Sequence, residues 1–283
     1  MNSTSWIWRI TSTISIAATL LLLYGFISAV AGMTSSSPAT SLAELPESGQ
    51  SSAPAAGPNR SENEVNAVAI GDSLARGTGD DSGSGFVRRF VDLLDKKGGM
   101  DAKLINNLGI NGLTTEALLT KLDEPGVQYV LREANVIMLS IGGNDLFAGG
   151  QAVLGGSEPP TVEELTAALP AASLRLQKIL DRLHTINPAA RILVLGLYNP
   201  FSDLPEMKIP GNTVVSEWNQ AALKITNKTD NMSVIPTFDL FEQNLEVYLS
   251  SDHFHPNGAG YEAIAERIVQ GFGTASPGGE ADK

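Results

Sequence analysis

Five short apolar runs, at residues 67–70, 103–106, 136–141, 191–197 and 234–238, alternate with stretches whose apolar residues recur at the helical spacing. Most of the runs are rich in Val, Ile and Leu with no alternating polar partner, the pattern of strands covered on both faces. The helical stretches lie at 86–97, 115–122, 162–186 (with a break expected near Pro170), 214–229 and 259–272. Alternation of this kind predicts an α/β fold in one domain, a five-stranded parallel sheet with helices on both faces. Pro236 puts the last strand at a sheet edge, because proline cannot donate to a central ladder. In open sheets of this type the chemistry gathers beyond the carboxyl ends of the strands. The residues just after each run are therefore the candidates.

The first 64 residues stand outside that alternation. Residues 10–43 contain no Asp, Glu, Lys or Arg, and 14–32 (ISIAATLLLLYGFISAVAG) are mostly apolar. A signal-peptide core runs about 7–15 residues and a membrane-spanning helix about 20. This segment, extended by Ile7 and Ile10, sits nearer the second. Trp6 and Trp8 stand where interfacial aromatics would, Arg9 flanks them, and no further Lys or Arg occurs before Arg60. The N-terminus is then expected on the cytoplasmic side and the remainder outside. The competing reading is a cleaved secretory signal ending at Ala29-Val30-Ala31; both export the rest of the chain. Residues 33–64, rich in Ser, Ala and Pro and free of aromatics, read as a disordered linker. Three parts are expected: an anchor or signal peptide over 1–32, the linker over 33–64 and one folded domain over 65–283.

Composition narrows the chemistry. Lys and Arg total 19 against 31 Asp and Glu, a net charge of −12, of which −10 falls in residues 65–283. A general basic surface for nucleic acid is excluded. There is no cysteine, which removes disulfides, thiolate metal sites, thiol catalysis and a thiol-linked lipid anchor. His184, His253 and His255 are the only histidines, too few for a histidine-rich metal centre.

After the first run comes Gly71-Asp72-Ser73-Leu74. A serine on a tight strand-to-helix turn presents its hydroxyl at the sheet edge beside the backbone N–H groups of the helix start. After the second comes Asn107-Leu108-Gly109-Ile110-Asn111-Gly112, whose glycines allow close approach of the backbone to a ligand. Gly142-Gly143-Asn144-Asp145 comes after the third and supplies a side-chain amide donor. Before the last helix stands Asp252-His253-Phe254-His255-Pro256. A carboxylate three residues ahead of an imidazole can fix its tautomer and leave the other ring nitrogen to accept a serine proton. Nucleophile, oxyanion donors, base and orienting acid thus fall where such a sheet would gather them.

These residues resemble the GDSL, or SGNH, hydrolase family. Its four blocks are matched in order by Ser73 in AIGDSLARG, a glycine in NLGINGLTT, Asn144 in IGGND and His255 in DHFHPN. The resemblance spans about residues 65–272. It implies a three-layer α/β/α sandwich, flavodoxin-like, and hydrolysis of esters or thioesters through an acyl-serine without metal or organic cofactor. Carried over, Ser73 is the nucleophile, His255 the general base and Asp252 its orienting acid. The backbone N–H groups of Ser73 and Gly112 and the amide of Asn144 line the oxyanion hole. Gly112 matches the family's position because it directly precedes Leu113-Thr114; Leu113 and Asn111 stand where members often carry Asp and Ser. His253 is read as a bystander and His184 as a solvated residue at a helix end.

The substrate is less constrained. Segments 146–160 and 199–213 offer Leu146, Phe147, Leu154, Phe201, Leu204, Met207 and Ile209, which either line an acyl groove or pack the loops onto the core. An apolar groove favours a lipase, lysophospholipase or thioesterase acting on lipid-type or small acyl esters. A shallow polar one favours O-deacetylation of cell-envelope carbohydrate, and a non-catalytic exported binding module is the reading from another class. Expected partners are a small-molecule or lipid ester and, if the N-terminal helix is uncleaved, the membrane. Nothing in the sequence specifies an oligomeric state.

Overall fold

The strands of this chain send successive side chains to opposite faces, and both faces find helices. The computed structural model describes residues 63–147 and 151–273, together with Thr19, Leu21 and Tyr24, which are helical and exposed. Those three belong to a unit over Met1–Gly57 and the rest to a unit over Pro58–Lys283. The expected anchor or signal over 1–32 and nearly all of the linker over 33–64 lie outside the described residues. Among the described residues no helix is long and apolar enough to cross a membrane.

Strands β1 (Glu64–Gly71), β2 (Asp101–Gly109), β3 (Val136–Ser140), β4 (Arg191–Leu195) and β5 (Met232–Ile235) pair in parallel in the order β2-β1-β3-β4-β5. After β1 come α1 (Ser73–Arg76) and α2 (Gly85–Gly98), and after β2 come α3 (Thr115–Lys121) and α4 (Pro125–Glu133). After β3 come α5 (Gly143–Leu146), α6 (Gln151–Leu154), α7 (Val162–Ala167) and α8 (Leu169–Ile186). After β4 comes α9 (Pro205–Thr226), and after β5 come α10 (Phe238–Tyr248) and α11 (Gly258–Gly273). Val68, Ile70, Ile137, Leu139, Ile192 and Val194 meet α3, α4, α7, α8 and α9 in one core. Ala67, Ala69, Val136, Met138, Leu193 and Leu195 meet α2, α10 and α11 in the other. The result is an α/β/α sandwich with its topological switch between β1 and β3, the crevice where such sheets hold ligands.

Several elements differ from the sequence expectation. The run at 103–106 belongs to β2, but Asp101, Lys103, Ile105 and Asn106 are exposed, because β2 is an edge strand with one uncovered side. β5 is the other edge, yet it ends at Ile235; Pro236 leaves the sheet and Phe238 already begins α10. The stretch 162–186 divides into α7 and α8 around Ala168, and Pro170 sits in the first turn of α8, where no N–H is needed for the helix. α9 begins at Pro205 and runs through Pro210, so much of the loop expected over 199–213 is helical. α4 and α10 have no counterpart among the expected helices. Glu64, the last residue assigned to the linker, already pairs with Asp101 in the sheet.

Candidate active site

Gly71 closes β1 at a φ of +135°, and a Cβ there would lie 1.8 Å from the Ser140 carbonyl oxygen of β3. Only glycine lets the two chains pass so closely. The next residue, Asp72, caps α1: its Oδ1 accepts from the Leu74 N–H at 3.1 Å and from the Ser140 hydroxyl at 2.7 Å. Ser73 is therefore the first residue of a short helix held at the end of β1. Its N–H has no partner within that helix, and its side chain is almost wholly buried. Burial also raises the Asp72 carboxyl to about 6, against the opposing pull of the Ser140 and Leu74 hydrogen bonds.

The imidazole comes from the far end of the domain on a loop closed at its neck. Leu249 and Pro256 form an antiparallel bridge, Ser250 N–H donates to the His255 carbonyl at 2.8 Å, and Asn257 N–H donates to the Tyr248 carbonyl at 2.8 Å. The Asn257 amide ties down the carbonyls of Val247 and Leu249, and its Oδ1 accepts from Gly260 N–H at the start of α11. Inside this loop Asp252 Oδ1 accepts from the Ser250 hydroxyl and from the N–H groups of Phe254 and His255. Its Oδ2 lies 2.6 Å from His255 Nδ1. Partial burial pushes this carboxyl up, but the hydrogen bonds from His255, Ser250 and Phe254 outweigh it and hold Asp252 down at about 2. An ionised carboxylate can only accept, so Nδ1 carries the imidazole proton. His255 Nε2 is then the acceptor for the Ser73 hydroxyl, 2.7 Å away.

A second network fixes the Asn144 turn. Asn144 Nδ2 donates to the Leu113 carbonyl at 2.9 Å, using one of its two N–H bonds. Asp145 accepts from Thr115 N–H at 2.9 Å and from the Thr115 hydroxyl at 2.6 Å, while Arg175 of α8 reaches both Thr115 and Asp145. The loop between β2 and α3 is thereby bound to the loop after β3. It is bound to the nucleophile turn as well, through Ile110 N–H to the Gly71 carbonyl and Thr78 Oγ1 to Asn111 Oδ1. Gly112, at a φ of +75°, faces open space, and its N–H has no hydrogen-bond partner among the described residues. Gly109 has a different reason to be glycine, since a Cβ would lie 2.4 Å from the Arg76 nitrogen of α1.

Ser73 and Asn144 open onto one small recess walled by Phe147, Leu197, Tyr198, Pro200 and Phe254, in which a water-sized group can occupy about 20 Å³. A serine hydroxyl, an oriented imidazole, an ionised carboxylate and an amide donor around an apolar recess are the equipment for acyl transfer.

The model of the GDSL-like lipase/acylhydrolase family matches residues 69–263. The chain belongs to this family. Like the family it is an ester-bond hydrolase. The Bacillus subtilis protein YpmR is 32% identical over 72% of this chain and 79% of its own length. The spore germination lipase LipC of Bacillus licheniformis is 31% identical over 73% of this chain and 96% of its own. The crystal structure of the lipase Lip_vut3 from a goat rumen metagenome is similar with a TM-score of 0.62 at 25% identity, over 73% of this chain and 96% of that one.

Within this GDSL-like hydrolase the expected site residues divide clearly. His255 is in direct contact with both Ser73 and Asp252, and Asn144 lines the same recess as Ser73. Gly112 is not among the residues lining it and lies in the adjoining loop. His253 is exposed at a φ of +52°, with no side-chain hydrogen bond among the described residues. His184 corrects an expectation. It is half-buried rather than solvated, with a buried and unpaired Nδ1, because its neighbours Leu183 and Ile186 are drawn into the core. Of the seven apolar residues considered for a groove, only Phe147 lines the recess. Leu146, Phe201 and Met207 are core, whereas Leu154 and Ile209 are exposed. Ser140, Thr115, Arg175 and Asn257 carry no signal in the sequence, because their roles appear only when distant segments meet. Tyr198 and Phe254 carry a weak one, the first just after the fourth run and the second beside His255.

Proposed function

We propose that this chain cleaves carboxylic esters through an acyl-serine formed at Ser73. The unbroken line of hydrogen bonds from Asp252 through His255 to the Ser73 oxygen carries this assignment. Ser73 Oγ attacks the ester carbonyl carbon as its proton passes to His255 Nε2. The imidazolium so formed is stabilised by the Asp252 carboxylate. The tetrahedral oxyanion takes hydrogen bonds from the Ser73 N–H, the Gly112 N–H and the free N–H of the Asn144 amide, and one such donor is worth about 3 kcal/mol of barrier. Collapse expels the alcohol, protonated by His255. Water then attacks the acyl-serine with His255 again as base, releasing the acid and restoring Ser73.

Lipid-type or small acyl esters are the substrates this assignment favours, in keeping with the lipases among its relatives. The catalytic domain works outside the cytoplasm, held by the apolar segment of residues 14–32 or released if that segment is cleaved; its hydropathy and the position of Arg9 support this. The test is Ser73→Ala against the wild type on a short-chain p-nitrophenyl ester, with an active-site phosphonate as a second probe. Loss of turnover and of the covalent phosphonate adduct is expected. Full hydrolysis by the variant refutes the nucleophile, and a wild type that neither turns over ester nor takes the label is a binding module.

A further inference from the structure

The recess beside Ser73 is walled in part by packed aromatic rings. Phe147 and Phe254 line it, and Phe201, fully buried, lies behind both. Its ring centroid is 5.6 Å from that of Phe147, edge to face, and 5.8 Å from that of Phe254. Phe254 in turn stands edge-on to the His255 imidazole at 5.0 Å, and its carbonyl accepts from the Tyr198 hydroxyl at 2.8 Å. Phe254 cannot swing away without disturbing its neighbour His255.

Ser73 and the amide donor Asn144 line the recess, whereas His255, which must reach the leaving oxygen, is not among its lining residues. Only about 20 Å³ of it admits the centre of a water-sized group, more than one water needs but far less than an extended alkyl tail would use. We infer that this recess takes the acyl side of the ester and admits only short acyl groups, and that Phe201 sets the limit by backing Phe147 and Phe254. This deepens the esterase assignment and rests on it: of the lipid-type and small acyl esters it favours, acetyl- to butyryl-type esters are the substrate class and long-chain lipid esters are poor substrates.

The experiment is an acyl-length series of p-nitrophenyl esters, acetate to decanoate, on the full chain in detergent below the micellar concentration of each ester. The wild type is expected to lose at least about tenfold in kcat/KM from butyrate to octanoate, since a single surplus methylene in a fitted pocket has an effect of that size. Phe201→Ala is expected to shift the optimum to longer chains, with octanoate gaining relative to acetate. Because Phe201 is a core residue, Phe147→Leu, at the recess wall, serves as a second variant with the same expected direction. A wild type that hydrolyses octanoate as well as acetate overturns the proposal. So does a short-chain profile that neither variant changes. Retention of every activity in Ser73→Ala identifies a failure of the esterase assignment itself, and the short-acyl proposal falls with it.

Discussion

Asp72 is a carboxyl buried next to the nucleophile with no cation beside it, and Asp72→Asn isolates what its charge costs. In the unfolded chain such a group titrates near 3.8, in the fold at about 6. The folded value is the higher one, so folding favours the protonated form. The stability this contributes is complete below about pH 3.8 and lost as the pH rises through about 6. The two values are separated by roughly two units, at 1.4 kcal/mol each, so the loss amounts to about 3 kcal/mol by neutral pH. Asparagine keeps an Oδ1 to accept from Ser140 and Leu74 but has no proton to lose. The stability of Asp72→Asn minus that of the wild type should therefore rise by about 3 kcal/mol between pH 3.5 and pH 7, whatever its constant offset. Every other titrating group is common to the two proteins and cancels in the difference. Urea unfolding followed by far-ultraviolet circular dichroism across that range measures it. A difference that stays flat, or that falls with pH, would refute the charge-burial explanation.

Asn144→Ala should lower kcat by about 10²–10³ with little change in KM, measured by steady-state kinetics, since its free N–H acts on the oxyanion rather than on the bound ester. Arg175→Ala removes the cation that steadies Asp145 and Thr115. It should reduce kcat severalfold without a matching rise in KM, and Arg175→Lys should restore part of it. Gly142 has a φ of +110°, and a Cβ there would lie 2.3 Å from the Trp218 ring. Gly142→Ala should destabilise by about 3 kcal/mol or more, whereas Gly83→Ala, also at positive φ but with nothing within 4 Å, should cost only about 1 kcal/mol; thermal unfolding of the two separates crowding from backbone strain.

How far the sequence can be read depends on how far each interaction reaches along the chain. The central strands β1, β3 and β4 are covered on both faces and announce themselves as unbroken apolar runs. β2 mixes Asp101, Lys103 and Asn106 with its apolar residues because one of its sides is bare, and its short apolar run conceals that exposure. α9 hides its first turns behind Pro205 and Pro210, residues that normally mark loops, although Met207, Gly211 and Val214 are buried along it. The parts of the site are legible where chemistry and position coincide, at Ser73, Asn144, Asp252 and His255. Their supports are not. Ser140 meets Asp72 across 68 residues and Arg175 meets Thr115 across 60, distances over which one sequence carries no pattern. The recess is hard to read because Phe201 and Met207 look like groove residues, yet they pack inward, leaving the wall to Phe147, Tyr198 and Phe254.

The closed loop between Tyr248 and Asn257 has a consequence for when the domain becomes active. Asp252 and His255 sit three residues apart and can find each other within a local turn, but Ser73, which His255 meets, is 182 residues away. That single span is crossed only when α11, whose Tyr261 ring stacks on Phe86 and whose Phe272 ring stands edge-on to Phe90 of α2, docks against the first helices of the domain. The last helix among the described residues to leave the ribosome is thus the one that brings His255 to Ser73. A chain halted before residue 258 keeps Asp252 and His255 with no helix to bring them to Ser73.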